Sequence, residues 1–133
     1  KLDRRMGPIR VVPTEMEQIL INLLNNALDS LQLKSKAGHH PKLEIRVSSS
    51  IRRLEGKDWA KILVYDNGMG IKKDDLGKVT KPFFSTKRPG EGTGLGLTIC
   101  LQLAGKYGGM LDIDSKEGAW TEAVLSIPYG VNA

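Results

Sequence analysis

Aromatic residues make up only 5% of this chain, and it holds a single cysteine, Cys100. So few aromatics argue against a stacking platform for single-stranded nucleic acid, which needs a ring beneath successive bases. One cysteine cannot close an internal disulfide and fits a reducing compartment. Set between Ile99 and Leu101 in a helical pattern, Cys100 reads as core filler. No apolar run approaches the ~20 residues that span a bilayer as a helix. The two histidines, His39 and His40, sit beside Pro41 in a loop pattern. They form no zinc-type cluster with the lone cysteine, and no Gly-x-Ser-x-Gly run marks a nucleophile elbow.

What is present is ordinary in bulk and unusual in detail. The 133 residues suit one domain with one core, at 40% hydrophobic and 26% charged residues. The first residue is Lys1 rather than Met, so a fragment of a longer protein is expected. Twenty Lys and Arg against 15 Asp and Glu leave a net charge of +5, which favours an anionic ligand. The cations are dispersed rather than striped, which argues against a duplex-binding face.

Thr14 and Glu17 form a Thr-x-x-Glu capping box, so a helix is expected to begin there. Ile19, Leu20, Leu23, Leu24, Ala27, Leu28 and Leu31 recur at helical spacing as a core face that fades near Lys34. Leu43–Val47 and Ile62–Tyr65 alternate as strands, joined by a hairpin turn at Glu55–Asp58. Residues 68–92 show little periodicity, and so long a connection inside a compact domain is usually functional, often a lid. A second helix is expected over Leu95–Tyr107, ended by Gly108-Gly109. Met110–Asp114 and Trp120–Ile127 then make a second hairpin around Lys116-Glu117-Gly118. This order predicts an α/β two-layer sandwich, with helices over one face of a mixed sheet.

Four short motifs are threaded along this framework. In Ile21-Asn22-Leu23-Leu24-Asn25-Asn26-Ala27, Asn22, Asn26 and Asp29 share one helix face beside the leucines. An Asn carbonyl is a hard, neutral oxygen able to ligate Mg²⁺ whose other ligands are phosphate and water; a solvated polar face is the plain alternative. Asp66-Asn67-Gly68-Met69-Gly70 leaves a strand on a carboxylate that can accept a hydrogen bond from the adenine amine, unless it is simply an Asn-Gly turn. In Lys81-Pro82-Phe83-Phe84-Ser85-Thr86-Lys87 the phenylalanines can anchor a loop whose Lys81, Lys87 and neighbouring Arg88 meet phosphate charge or only solvent. Gly92-Thr93-Gly94-Leu95-Gly96-Leu97 opens a helix, where the N–H groups of Leu95, Gly96 and Leu97 can face an anion. It is neither a Walker A loop nor a Rossmann fingerprint, and a flexible hinge is its alternative reading.

In this order the four motifs resemble the N, G1, F and G2 boxes of bacterial sensor histidine kinases. Their catalytic ATP-binding domain belongs to the GHKL superfamily, shared with gyrase, heat-shock chaperone and mismatch-repair ATPases. The resemblance runs from about Val12 to Pro128. It implies one GHKL-fold domain over residues 1–133, with an ATP lid at about 72–92. It further implies that Asn26 ligates Mg²⁺ and Asn22 assists near the phosphates. Asp66 would contact adenine N6 in a pocket shaped by Gly68 and Gly70, with Thr121 supporting it directly or through water. Gly92, Thr93, Gly94, Leu95, Gly96 and Leu97 would hold the phosphates, and Lys81, Phe84, Lys87 and Arg88 would act from the lid.

The chain departs from the resemblance in two places. Many members carry a cation three residues after the Mg-binding Asn and an aromatic one further on. Here those places hold Asp29 and Ser30, so Lys87 or Arg88 would have to replace the cation. Hydrolysing relatives and the anti-sigma-factor serine kinases tend to place a Glu base four residues before that Asn, where this chain has Asn22. The resemblance therefore implies a cytoplasmic domain that passes the γ-phosphate of Mg·ATP to a histidine on a separate dimerisation domain of the same kinase, with a response regulator downstream. It implies a monomer in isolation, with no nucleic-acid or membrane contact. The alternatives are an ATPase, an anti-sigma-type serine kinase, or a non-catalytic nucleotide-sensing module.

Overall fold

The computed structural model describes residues 11–38, 42–79 and 96–129. Helix α1 spans Pro13–Lys36, with Pro at its first positions and Val12 at the cap without a side-chain capping bond. Proline suits a helix start because φ is already helical and its missing N–H would find no intrahelical partner. The expected Thr14 and Glu17 box does not form, since Thr14 already lies inside the first turn. The start of α1 is fastened at long range instead: the Val12 N–H donates to the Tyr107 hydroxyl at 2.9 Å, and Lys106 pairs with Glu15 at 2.8 Å.

Four strands follow: β1 (Ile45–Leu54), β2 (Lys57–Asp66), β3 (Met110–Lys116) and β4 (Trp120–Tyr129). They form one sheet in the order β1-β2-β4-β3, and every neighbouring pair is antiparallel. The expected mixed sheet is thus corrected over the described strands. The chain crosses from β2 to β3 through α2 (Lys73–Leu76) and α3 (Gly96–Lys106), which leaves β3 parallel to β2. β4 then inserts between them, so that parallel pair never shares a ladder. The β1–β2 turn is also tighter than expected: Glu55 and Gly56 alone make it, both at positive φ (51° and 77°), a pairing whose twist matches that of the strands. Lys57 and Asp58 are already in register with Leu54 and Arg53.

Helix α3 ends as its two glycines require. Gly109 N–H reaches the Ala104 carbonyl at 2.8 Å and Gly108 N–H the Gly105 carbonyl at 3.0 Å, with Gly108 at φ 72°. This nested pair of bonds satisfies the last helical carbonyls and needs a left-handed residue.

Ile19, Leu23 and Ala27 of α1 and Cys100 and Ala104 of α3 pack on Val64, Leu111, Ala123, Leu125 and Ile127 of the sheet. Leu28, expected on this face, is exposed: it lies about 100° round the helix from Ala27. Burying an aliphatic side chain of this size contributes ~1.5–3 kcal/mol. An exposed ion pair such as Arg46–Glu44 or Arg53–Asp58 contributes ~1 kcal/mol or less. The apolar layer therefore holds the helices on the sheet, and it ends at a polar row. Asp66, Thr121 and Ser115 lie side by side across β2, β4 and β3, with the apolar Ile45 beside Asp66 on β1.

Candidate functional site

Asp66 ends β2 on the helix-facing side, where alternation places it one step beyond Val64. Its residue is only 4% exposed. Burial pushes its carboxyl above the usual carboxylate range, outweighing hydrogen bonds from the Gly68 N–H and the Ser30 side chain and the charge of Lys34. The Gly68 bond measures 2.9 Å and occupies Oδ1. A carboxylate in this setting has a fixed direction and a strong demand for a further donor.

The loop after Asp66 is gripped from both sides. Met69 N–H donates to the Ser30 hydroxyl at 3.0 Å and to its carbonyl at 3.1 Å, while Gly118 N–H donates to the Met69 carbonyl at 2.6 Å. Gly68 packs so closely on Ser30 that a Cβ there would lie 2.6 Å from the Ser30 carbonyl carbon and 2.8 Å from Asp66 Oδ1. Gly70 adopts φ 71°, and a Cβ on it would strike the Lys116 carbonyl. Both glycines are therefore required by space, and one also by conformation. Asn67 faces away and fixes the approach to β1, accepting from Glu44 N–H at 2.6 Å and donating to the Lys42 carbonyl at 2.7 Å.

Thr121 stands opposite Asp66 on β4, but its hydroxyl pairs with Ser115 Oγ at 2.9 Å. Ser115 Oγ also accepts from the Ile71 N–H at 2.8 Å, so this hydroxyl pair links the strand end to the loop after Asp66. Sequence reasoning missed Ser30, Lys34 and Ser115. The first two were accessible, because Asn22 and Asn26 extended by the same four-residue step give Ser30 and Lys34.

At the other end of the stripe, Asn22 Nδ2 donates to the Gly96 carbonyl at 3.3 Å, and its Oδ1 accepts from Gln18 at 3.2 Å. It thereby ties α1 to the first residue of α3. The Asn26 side chain, half-buried one turn on, makes no hydrogen bond to the other described residues, which leaves its carbonyl oxygen available to a cation. Among the described residues no group of three or more His, Cys, Asp or Glu side chains could hold a metal. A cation at Asn26 would thus take its other ligands from phosphate and water, as Mg²⁺ does, and the donor chemistry fits. The Leu97 side chain packs on the core, which leaves its backbone for any anion at the start of α3, where no acidic residue occupies the first turn. Lys81, Phe84, Lys87, Arg88, Gly92, Thr93, Gly94 and Leu95 lie outside the described residues. Of the expected lid, 72–79 are described, with α2 against β3.

Residues 11–131 match the family of histidine kinase-, DNA gyrase B- and HSP90-like ATPases. The chain belongs to that family. Curated relatives of this ATP-binding domain include the sensor kinase CckA of Brucella abortus, 32% identical over 94% of this chain and 14% of its own length. The sensor histidine kinase ZraS of Escherichia coli is 32% identical over 92% of this chain and 23% of its own length. The two-component sensor PprA of Pseudomonas aeruginosa is 37% identical over 94% and 13%. This chain therefore spans less than a quarter of each. Among solved structures, the catalytic domain of histidine kinase ThkA superposes with TM-score 0.67 at 26% identity, covering 90% of this chain and 70% of that one. A mycobacterial sensor histidine kinase, MprB, superposes with TM-score 0.68 at 24% identity, covering 91% and 76%, a likeness of fold. The ATPase domain described here is thus of the sensor-histidine-kinase type, and no helix among its described residues is long and apolar enough to cross a membrane.

Proposed function

We propose that this domain binds Mg·ATP between α1, the Asp66 loop and the start of α3, and presents the γ-phosphate to a histidine on a separate dimerisation domain. The observation that carries the reading is the buried Asp66 carboxylate, its Oδ1 held by the Gly68 N–H and its remaining acceptor capacity suited to the purine amine. Guanine offers a carbonyl at that position and would be repelled. Asn26 would ligate Mg²⁺, which when bound neutralises phosphate charge. Gly92, Thr93, Gly94, Leu95, Gly96 and Leu97 would cradle the phosphates, with Lys81, Phe84, Lys87 and Arg88 closing over them. Lys87 or Arg88 would replace the cation that Asp29 does not supply. Positioning and charge neutralisation do most of the work in such transfers, so the domain alone should turn over little ATP.

Asn22 separates this reading from a hydrolase or an anti-sigma-type serine kinase. It occupies the place of their Glu base, and an amide donating to Gly96 and accepting from Gln18 cannot take a proton from water or serine. A neutral imidazole needs no such base. The partners are then the histidine-bearing domain of the same kinase and a response regulator downstream, with the domain itself monomeric over 1–133 and cytoplasmic, where ATP is supplied. Mixed with a histidine-bearing dimerisation fragment and labelled ATP, it should yield acid-labile phosphoprotein. Acid-stable label on serine would favour the anti-sigma alternative, and nucleotide binding without transfer a sensing module. Asn26→Ala should abolish the Mg²⁺ dependence of triphosphate binding; an unchanged Mg²⁺ titration by calorimetry would remove Asn26 from the metal site.

A further inference from the structure

The α1 stripe that begins with the two asparagines ends on Lys34, which is only 9% exposed. Its Nζ donates to the Asn67 carbonyl at 2.8 Å, a group whose direction is already set by the Asn67 bonds to Lys42 and Glu44. The Lys34 charge also acts on Asp66, and among the described residues no other charged side chain is seen to do so. The groups facing Asp66 from the other elements are the Ser30 hydroxyl on α1, Ile45 on β1, Thr121 on β4 and, one strand further, Ser115 on β3. None of these titrates near neutral pH. Burying an ammonium is costly unless a partner answers it. A carbonyl needs only a neutral donor, so the carboxylate beside it is what calls for a cation.

We propose that Lys34 is a positioning residue of the adenine subsite: its ammonium, bonded to the Asn67 carbonyl, holds the turn after Asp66 and sets a positive charge behind the carboxylate that receives the purine amine. Lys34 touches no nucleotide itself; it acts through Asp66. The inference rests on Asp66 being the adenine contact, and its test is built so that the two can fail separately.

The test uses the 133-residue chain with ¹³C-labelled aspartate. First, the Asp66 carboxyl is titrated by NMR without nucleotide. Then ATP and tripolyphosphate binding are compared by calorimetry from mildly acidic to neutral pH, where their ratio cancels the ionisation of the phosphates. Lys34→Gln keeps a neutral donor and removes the charge. It should move the Asp66 titration to higher pH, move the acid limb of the ATP preference the same way, and weaken ATP binding roughly tenfold at neutral pH, as expected when a hydrogen bond to a charged group is compromised. Lys34→Arg should restore all three. An Asp66 titration that does not move in Lys34→Gln overturns the role of Lys34 and leaves the adenine contact standing. A titration that moves while the ATP preference does not overturns both. Should Lys34→Gln fail to fold, Lys34→Met, which keeps the apolar stem in its packing, carries the same readings.

Discussion

Asp66→Asn should weaken ATP binding by roughly tenfold to a hundredfold, as the loss of a buried hydrogen bond does, while leaving tripolyphosphate nearly untouched. The Gly68 N–H requires an acceptor, so the amide must turn its oxygen there. Its NH₂ then faces the adenine amine, donor against donor. Equal losses for the two ligands in calorimetry would sink the adenine contact. The same variant should behave in the opposite sense without nucleotide. Burial raises the Asp66 carboxyl above its ordinary value of 3.8. The folded state thus binds the proton more tightly than the unfolded one, and this group's contribution to stability is lost as pH rises from that value through the folded pKa. At neutral pH the ionised carboxylate is a net burden on the empty domain, which Asn removes. Nucleotide-free Asp66→Asn should therefore melt no lower than the wild type at neutral pH, and should lack the wild-type decline across the mildly acidic range.

Gly68→Ala should fail in both respects at once. Its methyl would sit 2.6 Å from the Ser30 carbonyl carbon and 2.8 Å from Asp66 Oδ1, closer than real Cβ contacts allow. The nearest atom in the way, the Ser30 hydroxyl, could rotate aside, but the helix backbone behind it cannot. Overpacking of this kind costs ~1–3 kcal/mol, or roughly 3–12 °C of melting temperature in a domain of this size, and pushes Asp66 off its aim. Thermal unfolding and ATP titration together check it. An alanine that leaves both unchanged would mean that Ser30 does not pack on the loop as described.

Much of this was legible in the sequence because it is local. The Ile19, Leu23 and Ala27 face, the strand ending at Asp66 and the helix stop at Gly108-Gly109 each follow from neighbours within a few residues. The start of α1 was misread because Pro13 and Thr14 both signal a helix start, and Pro13 sits one residue earlier. Ser30 looked like a missing aromatic, yet its hydroxyl and carbonyl hold Met69 across 39 residues of chain. Lys34 reaches Asn67 across 33 residues and Ser115 reaches Ile71 across 44. No local period encodes such distances. They arise only when α1 and the β3–β4 hairpin close on the loop from opposite sides.

The position of β4 has a consequence for the order of events during synthesis. The last of the described strands to be made is an inner strand of the sheet, and its Thr121 lies opposite Asp66, made 55 residues earlier. Until β4 leaves the ribosome, β2 and β3 have no strand to join them, and Leu125 and Ile127 are missing from the core. A chain interrupted anywhere before β4 carries most of the residues proposed to contact nucleotide yet cannot assemble them. β4 must therefore be made before the nucleotide site can assemble, and products that stop short of it are expected to be silent.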